Sequence, residues 1–230
     1  MQHLLKVRPM KILQLVRIIA RVLLLLAGGG AAVVGVAQLA PLGLSFDAWL
    51  LFPQLPELLD LALAFPQTAV IINHCGGVAR IGAYEGRHAE VFERWKTSMQ
   101  ALARLPNVYV KLGGLGMRIN GFGFEKADRP AASEQLAAAW RPWMETCIEA
   151  FGADRCMFES NFPVDKVSYS YGVVFNAFKR LSKGYSASER AALAMRADSA
   201  ESSSSTMAMG VRCSVSGMAV PAVYTATVKV

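Results

Sequence analysis

The sequence predicts an α/β protein in which about four β-strands alternate with helices around a parallel sheet. Two observations lead to this fold class. Short apolar runs alternate with amphipathic helical patterns from Gly43 to Glu201, as they do in consecutive βα units. One of these runs, TAVIIN at residues 68–73, is continuous and rich in β-branched residues, which is typical of a strand buried on both faces of a sheet.

The first two βα units are expected before residue 106. The run GLSFDAWLL contains the first predicted strand, at residues 44–51, and a helix with one apolar face follows Pro53 and extends to Pro66. The second strand is TAVIIN at 68–73, and a helix from His88 to Leu105 has its apolar residues on one stripe.

The third and fourth units occupy the rest of the pattern, with strands predicted at 108–112 and 156–160. Between them, a helix begins near Ser133 and ends at Gly152, and Pro142 predicts a kink or a break inside it. The last strand is followed by a helix over residues 171–181. A final helix begins at the capping box formed by Ser186 and Glu189.

The two ends of the chain differ from this pattern. Residues 1–36 form a basic and then apolar leader, which favours a signal peptide or membrane anchor, with an organelle transit peptide, an internal helix or a mistaken gene start as alternatives. We expect a cytoplasmic protein. The alternative is a protein that its N-terminal segment targets to an organelle or anchors to a membrane, with membrane contact through residues 12–37. Residues 202–230 have a low-complexity composition and are expected to form an irregular tail.

Charge and cysteine content exclude two functional classes. The net charge is +7, but the region from Ala37 to Glu201 holds all 17 acidic residues and an equal number of basic ones. A neutral body argues against nucleic-acid binding, which requires a basic face on the fold. The four cysteines form no C-x-x-C pair, so neither a zinc knuckle nor a redox motif is expected.

Polar residues are concentrated at the predicted carboxyl ends of the strands, where the active sites of parallel βα folds gather. His74 is the one histidine at such a position, since His3 lies in the leader and His88 at a helix start. A strand-end histidine serves as an acid/base group or a metal ligand, and a purely structural histidine is the alternative. We predict that His74 is catalytic.

Four further residues at these strand ends are predicted to be catalytic. Lys111 is a cation on an apolar strand and has to reach either the mouth of the fold or a carboxylate. Glu159 and Asn161 alternate onto one face of the fourth strand. Asp165 follows in the next loop, where capping a helix N-terminus is an equal alternative.

Three residues are predicted to bind substrate. Asp47 lies towards the end of the first strand, and Gly76 and Gly77 follow the second. A pair of glycines lets a loop turn sharply and lets a ligand approach the backbone.

Four strings in this order, GLSFDAWL, INHCGG, VYVKLGGLGMR and FGADRCMFESNFPVD, make residues 37–201 similar to the amidohydrolase-related (amidohydrolase 2) family. That family contains metal-dependent barrel hydrolases, lactonases and some decarboxylases. The resemblance implies a partial (β/α) barrel of the TIM type, consisting of its last four strands, because a complete barrel needs about 250 residues. The open sheet edges of such a partial barrel would allow self-association.

The resemblance also implies a hydrolase that acts on a small-molecule substrate, namely a lactone, amide or ester of a small acid or sugar acid. A decarboxylase of the same family is an alternative, and so is a truncated, catalytically inactive remnant. In the hydrolase, His74 would orient substrate or metal and Lys111 would stabilise the developing oxyanion.

A divalent metal, zinc or manganese, with His74 as a ligand is implied for the family, but two features of this chain oppose it. Asn161 occupies the position of the family's strand-eight acid, and an amide cannot take a proton from a metal-bound water. The chain also contains no H-x-H pair, which supplies two metal ligands in the family. We therefore expect no tightly bound catalytic metal, with Glu159 or Asp165 serving as the base.

Overall fold

Four parallel strands form the centre of the structure. A computed structural model describes residues 35–201, 206–211 and 222–227. The strands are β1 (Ser45–Trp49), β2 (Ala69–Ile72), β3 (Val108–Leu112) and β4 (Cys156–Phe158). They pair side by side in sequence order, all in parallel. The predicted α/β class and the four predicted strands are therefore confirmed.

Helices connect and cover these strands. They are α1 (Leu55–Ala64), α2 (His88–Ala103), α3 (Ser133–Phe151), α4 (Tyr171–Leu181) and α5 (Ala187–Glu201). The capping box before α5 is present, because Glu189 N–H donates to Ser186 Oγ at 3.3 Å and Ser186 N–H donates to Glu189 Oε2 at 2.8 Å.

The predicted break in the third of these helices does not occur, because α3 continues through Pro142 as one helix of 19 residues. Trp140 and Trp143 are buried on either side of the proline. Their packing in the core holds both halves of the helix against the sheet and offsets the hydrogen bond that the proline removes.

The two faces of the parallel sheet differ in polarity. One face is apolar and packs beneath α2 and α3, and its fully buried residues are Ala48, Val70, Ile72, Val108, Val110, Leu112 and Cys156. The alternate residues on the opposite face include Asp47, Ile71, Tyr109 and Lys111. Because side chains alternate along a strand, the charged residues share the second face and stay out of the apolar core.

The prediction of an irregular C-terminal tail is wrong for two segments. β5 (Thr206–Val211) and β6 (Ala222–Thr227) form an antiparallel pair, and β6 continues the sheet antiparallel to β1, with Thr225 opposite Asp47. The edge of β1 offers backbone groups for pairing, and Val223, Tyr224, Thr225 and Thr227 are residue types that favour a strand. Composition alone did not reveal this pairing. Residues 202–205, 212–221 and 228–230 lie outside the described part.

The N-terminal predictions fall almost wholly outside the described residues, since residues 1–34 are not among them. Val36 and Leu39, near the end of the predicted leader, are buried in the core. Within residues 35–201 and the two tail strands, no helix is both long and apolar enough to cross a membrane. Cys75, Cys147 and Cys156 are buried and are not part of a disulfide bond.

Candidate active site

The carboxyl ends of the four parallel strands lie at one edge of the sheet and bring the predicted site residues together. Register places Asp47 beside Ile71 and Ile71 beside Tyr109, so these residues stand at one level. Lys111 lies two residues further along β3, beside Met157. His74, Asn161 and Asp165 follow the strands in the loops at the same edge, as expected for a parallel βα fold.

His74 and Glu159 form a hydrogen-bonded dyad between the ends of β2 and β4. Glu159 Oε1 lies 2.5 Å from His74 Nδ1 and also accepts the backbone N–H of His74 at 3.0 Å. Both side chains are largely buried, with 15% and 14% exposed. A carboxylate that binds both the ring and the backbone of a histidine fixes its orientation and keeps the proton on Nδ1. Nε2 is therefore left as the acceptor.

The chain reaches this position through an unusual turn. His74, Cys75, Gly76 and Gly77 all have positive φ angles, of 54°, 51°, 73° and 63°. Gly77 has to be glycine because a Cβ there would lie 1.7 Å from the carbonyl oxygen of Leu50. The side chain of Trp95 donates to the carbonyl of Cys75 at 2.7 Å and fixes the turn to helix α2. Two adjacent non-glycine residues with positive φ store strain, which is typical of functional sites.

Charge around Glu159 favours its ionised form. Burial raises the pKa of this carboxyl, but the opposing attraction of His74 and Lys111 and the hydrogen bonds from His74 outweigh it, so the pKa lies below its ordinary value. Glu159 is thus an ionised partner for the histidine at neutral pH.

Lys111 and Asp47 form a second pair across the sheet. Lys111 Nζ lies 2.7 Å from Asp47 Oδ2, and their side chains are 14% and 5% exposed. Lys111 was predicted to reach either the mouth of the fold or a carboxylate, and the carboxylate that it reaches is that of Asp47. An ammonium group carries three N–H donors, and this ion pair uses one of them.

Asp165 is fully buried in the turn that follows β4. Its Oδ1 accepts a hydrogen bond from the amide Nδ2 of Asn161 at 2.8 Å. Its Oδ2 accepts one from the hydroxyl of Tyr169 at 2.5 Å and another from the backbone N–H of Gly116 at 3.2 Å. Burial raises the pKa of Asp165, and these hydrogen bonds oppose the shift only in part. Burial, together with the nearby Asp165 charge, also raises the pKa of Tyr169.

Sequence reasoning placed most of these residues but missed three that support them. Gly114 lies beneath the His74 ring, where an added Cβ would be 2.4 Å from Nδ1. Gly116 and Tyr169 bind Asp165 as described. The Gly-Gly pair at the end of β3 was a signal for Gly114, but a lone tyrosine eight residues beyond Asn161 gives none.

Gly76 and Gly77 are buried, and packing against α2 and against Leu50 is enough to explain both glycines. A contact between either glycine and substrate stays a prediction.

The described residues do not fit a divalent metal site on their own. The hydrogen bonds of the dyad leave His74 Nε2 and the second carboxylate oxygen of Glu159 unused, so the dyad offers at most two ligand atoms. Asp47 is bound to Lys111, and three donors surround Asp165. Across the part of the chain that the structure describes, no cluster of three His, Cys, Asp or Glu residues has the spacing to hold a metal ion. Three or more protein ligands are normally required.

Comparison with known proteins identifies relatives of this chain. The amidohydrolase family model matches residues 28–195. The uncharacterised protein y4mH of Sinorhizobium fredii is 42% identical over 159 residues, covering 69% of this chain and 47% of that protein. The L-fucono-1,5-lactonase of Burkholderia multivorans is 30% identical over 161 residues, covering 69% of this chain and 51% of the lactonase.

Two crystal structures of an amidohydrolase are also similar to this chain. The crystal structure of an amidohydrolase from Burkholderia multivorans with bound zinc is similar with a TM-score of 0.58 and 27% identity, over 70% of this chain and 53% of that chain. A second crystal structure of this amidohydrolase, with bound HEPES, has a TM-score of 0.53 and 28% identity. The chain thus spans about half the length of the proteins it matches.

Proposed function

Because the chain belongs to the amidohydrolase family, we propose that it takes part in the hydrolysis of a lactone of a small hydroxylated acid. The relatives that carry a stated activity and share 30% identity with this chain are L-fucono-1,5-lactonases, which supports a lactone over an amide or a linear ester. The observation that carries the proposal is the His74–Glu159 dyad at the carboxyl edge of the parallel strands.

In this proposal the dyad supplies the base. Glu159 accepts a hydrogen bond from the Nδ1–H of His74, so His74 Nε2 is free to take a proton from water. The resulting hydroxide attacks the lactone carbonyl carbon, a C–O bond forms, and the ring C–O bond then breaks. His74 returns the proton to the leaving alkoxide and yields the open hydroxy acid. The ionised state of Glu159 stabilises the imidazolium that forms in between.

Lys111 supplies a positive charge near the reacting carbonyl. Its ion pair with Asp47 fixes the direction of the ammonium group, and its remaining N–H donors are suited to the carbonyl oxygen, on which negative charge develops in the transition state. Lys111 is close enough to Glu159 to lower the pKa of that carboxyl. The cation and the dyad therefore belong to one site.

A catalytically inactive chain is the second candidate, and a specific observation favours it. The chain spans about half the length of its relatives, and the described residues hold no metal-ligand cluster, whereas one similar amidohydrolase structure has bound zinc. The decarboxylase alternative gains no such support.

A lactonase assay on the purified full chain decides between the two. We expect hydrolysis of L-fucono-1,5-lactone or a related sugar 1,5-lactone, followed by acid release with a pH indicator and corrected for spontaneous opening. Substituting His74→Ala should lower kcat by about 10²- to 10⁴-fold. The matched control is His88→Ala, which removes the exposed histidine that binds Arg80 at 2.8 Å. No turnover by the unmodified chain would favour the inactive candidate, and equal turnover by both variants would show that His74 is not the base.

A further inference from the structure

Asp165 is a buried carboxylate with three neutral donors and no cation among its hydrogen-bond partners. Asn161, Tyr169 and the backbone of Gly116 supply the donors. An ionised carboxylate has only acceptor sites and can accept all three hydrogen bonds. A protonated carboxyl carries one O–H donor, which would have to face one of these three donors. Such an arrangement holds groups in place, and it leaves Asp165 no face open to substrate, because the residue is 0% exposed.

This carboxylate joins the two loops that carry the rest of the site. Gly116 lies in the loop after β3, whose earlier residue Gly114 supports the His74 ring. A second bond reinforces the junction, since Ser168 Oγ donates to the carbonyl of Gly116 at 2.7 Å. The loop after β4 contributes Asn161, whose φ of 52° aims its side chain back towards Asp165. Asp165 therefore ties the two loops together, and the Ser168–Gly116 bond supports the same junction.

The hydrogen bond also fixes which end of the Asn161 amide faces the site. An amide oxygen turned towards a carboxylate would be repelled, so the NH₂ group faces Asp165 Oδ1. In a planar amide the oxygen then points to the opposite side. The amide oxygen is therefore directed away from the buried carboxylate, and Asn161 itself is only half-buried.

We propose that Asp165 is a positioning residue that orients the Asn161 amide, so that Asn161 Oδ1 accepts one hydrogen of the attacking water while His74 Nε2 accepts the other. This inference rests on the proposed lactone hydrolysis. A water molecule that donates both hydrogens has its lone pairs directed at a third point, where the lactone carbonyl carbon would be. Asn161 thus serves as a fixed acceptor where the family has an acid.

An exchange of the two side chains tests the inference. In Asp165→Asn, the new amide donates towards position 161, so the Asn161 amide has to turn and present NH₂ to the water in place of oxygen. We expect kcat to fall on the order of 10²-fold, with KM changed less than about threefold. In the double variant Asp165→Asn/Asn161→Asp the amide and the carboxylate trade places and an oxygen faces the water again. At least a tenfold recovery of kcat over the single variant is expected.

Tyr169→Phe is the matched control for folding, because it removes one donor from Asp165 and leaves the bond to Asn161 intact. It should lower Tm about as much as Asp165→Asn does, but lower kcat less than about fivefold. The inference is overturned if the double variant is no more active than Asp165→Asn, or if Tyr169→Phe loses as much kcat.

A measurement that needs no turnover separates this inference from the proposed function. In ¹⁵N-labelled protein, the side-chain NH₂ resonances of Asn161, assigned by their loss in Asn161→Asp, should be shifted by the carboxylate and move in Asp165→Asn. If the unmodified chain hydrolyses no lactone, the proposed function fails, and these resonances still test whether Asp165 orients the Asn161 amide. A shift that is lost in Asp165→Asn supports this orientation, and unchanged resonances overturn it.

Discussion

Adding one methyl group beneath the His74 ring should disable the site without altering any charged residue. Gly114 has a φ of +64°, and a Cβ placed there would lie 2.4 Å from His74 Nδ1 and 2.5 Å from Cγ. Ordinary van der Waals contact begins at 3.4 Å, so in Gly114→Ala the imidazole has to move by about 1 Å. A shift of that size breaks the hydrogen bond of 2.5 Å to Glu159.

The magnitude follows from two separate costs. A non-glycine residue with positive φ costs about 1–2 kcal/mol, and overpacking a well-packed site costs about 1–3 kcal/mol more. Gly43→Ala is the matched control, because Gly43 also has a positive φ, +68°, but nothing lies within 4 Å of its added Cβ. We therefore expect Gly114→Ala to lose about 1–3 kcal/mol of unfolding free energy beyond the loss in Gly43→Ala.

Urea denaturation followed by tryptophan fluorescence measures the stability difference, and lactone hydrolysis measures the activity. Gly114→Ala should lower kcat on the order of 10²-fold, since a misplacement of about 1 Å has that effect on a catalytic group. Gly43→Ala should leave kcat unchanged. Equal unfolding free energies and equal kcat for the two variants would show that the ring does not rest on Gly114, and the site geometry would be refuted.

Three further predictions concern pH, stability and metal. The pKa of Glu159 lies below its ordinary value of 4.5, so its stabilising effect is present above that pH and is lost as pH falls through the folded-state pKa. Glu159→Gln should therefore flatten the acid side of the stability profile measured by denaturation, and an unchanged profile would contradict the shift. Arg155 donates to the carbonyls of Ala103, Leu105, Val108 and Phe151, so Arg155→Met should lose about 2–4 kcal/mol in urea denaturation. Arg141→Met, which removes an exposed pair with Glu145, should lose less than about 1 kcal/mol. Elemental analysis of dialysed protein should find far less than one zinc or manganese per chain, and stoichiometric metal that is lost in His74→Ala would contradict the ligand count.

The sequence was sufficient to predict the parallel strands, because a run such as residues 68–73 is both β-branched and continuous, and few structures other than a buried strand accommodate it. The strand-end rule then selected His74, Lys111 and Glu159 from the whole chain. It could not pair them, since contact between residues 74 and 159 depends on how four strands are arranged in space. The tail strands were missed for the same reason, as residues 222–227 have little pattern of their own and are stabilised by the free edge of β1.

Asp165 shows where local reasoning reaches its limit. A carboxylate after a strand and before a helix reads equally well as an N-cap and as a catalytic base. In the structure its carboxylate accepts hydrogen bonds from Asn161, Tyr169 and the backbone of Gly116, which is 49 residues away in the sequence. Long-range hydrogen bonds to a backbone N–H have no sequence signature, since every residue except proline supplies that group.

The two side-chain pairs at the site, Asp47–Lys111 and His74–Glu159, each join strands that are separated by one other strand. Asp47 and Lys111 lie on β1 and β3, and Glu159 reaches from β4 to His74 at the end of β2, so each pair skips one strand. Strands two apart in a sheet are separated by about 9–10 Å, which a short aspartate spans only when its partner is as long as lysine. Alternate strands contribute the same layer of side chains in (β/α) barrels. The described strands and the loops that follow them therefore contain both partners of each pair, and each pair leaves one hydrogen-bonding group, the ammonium or Nε2, available for the proposed reaction.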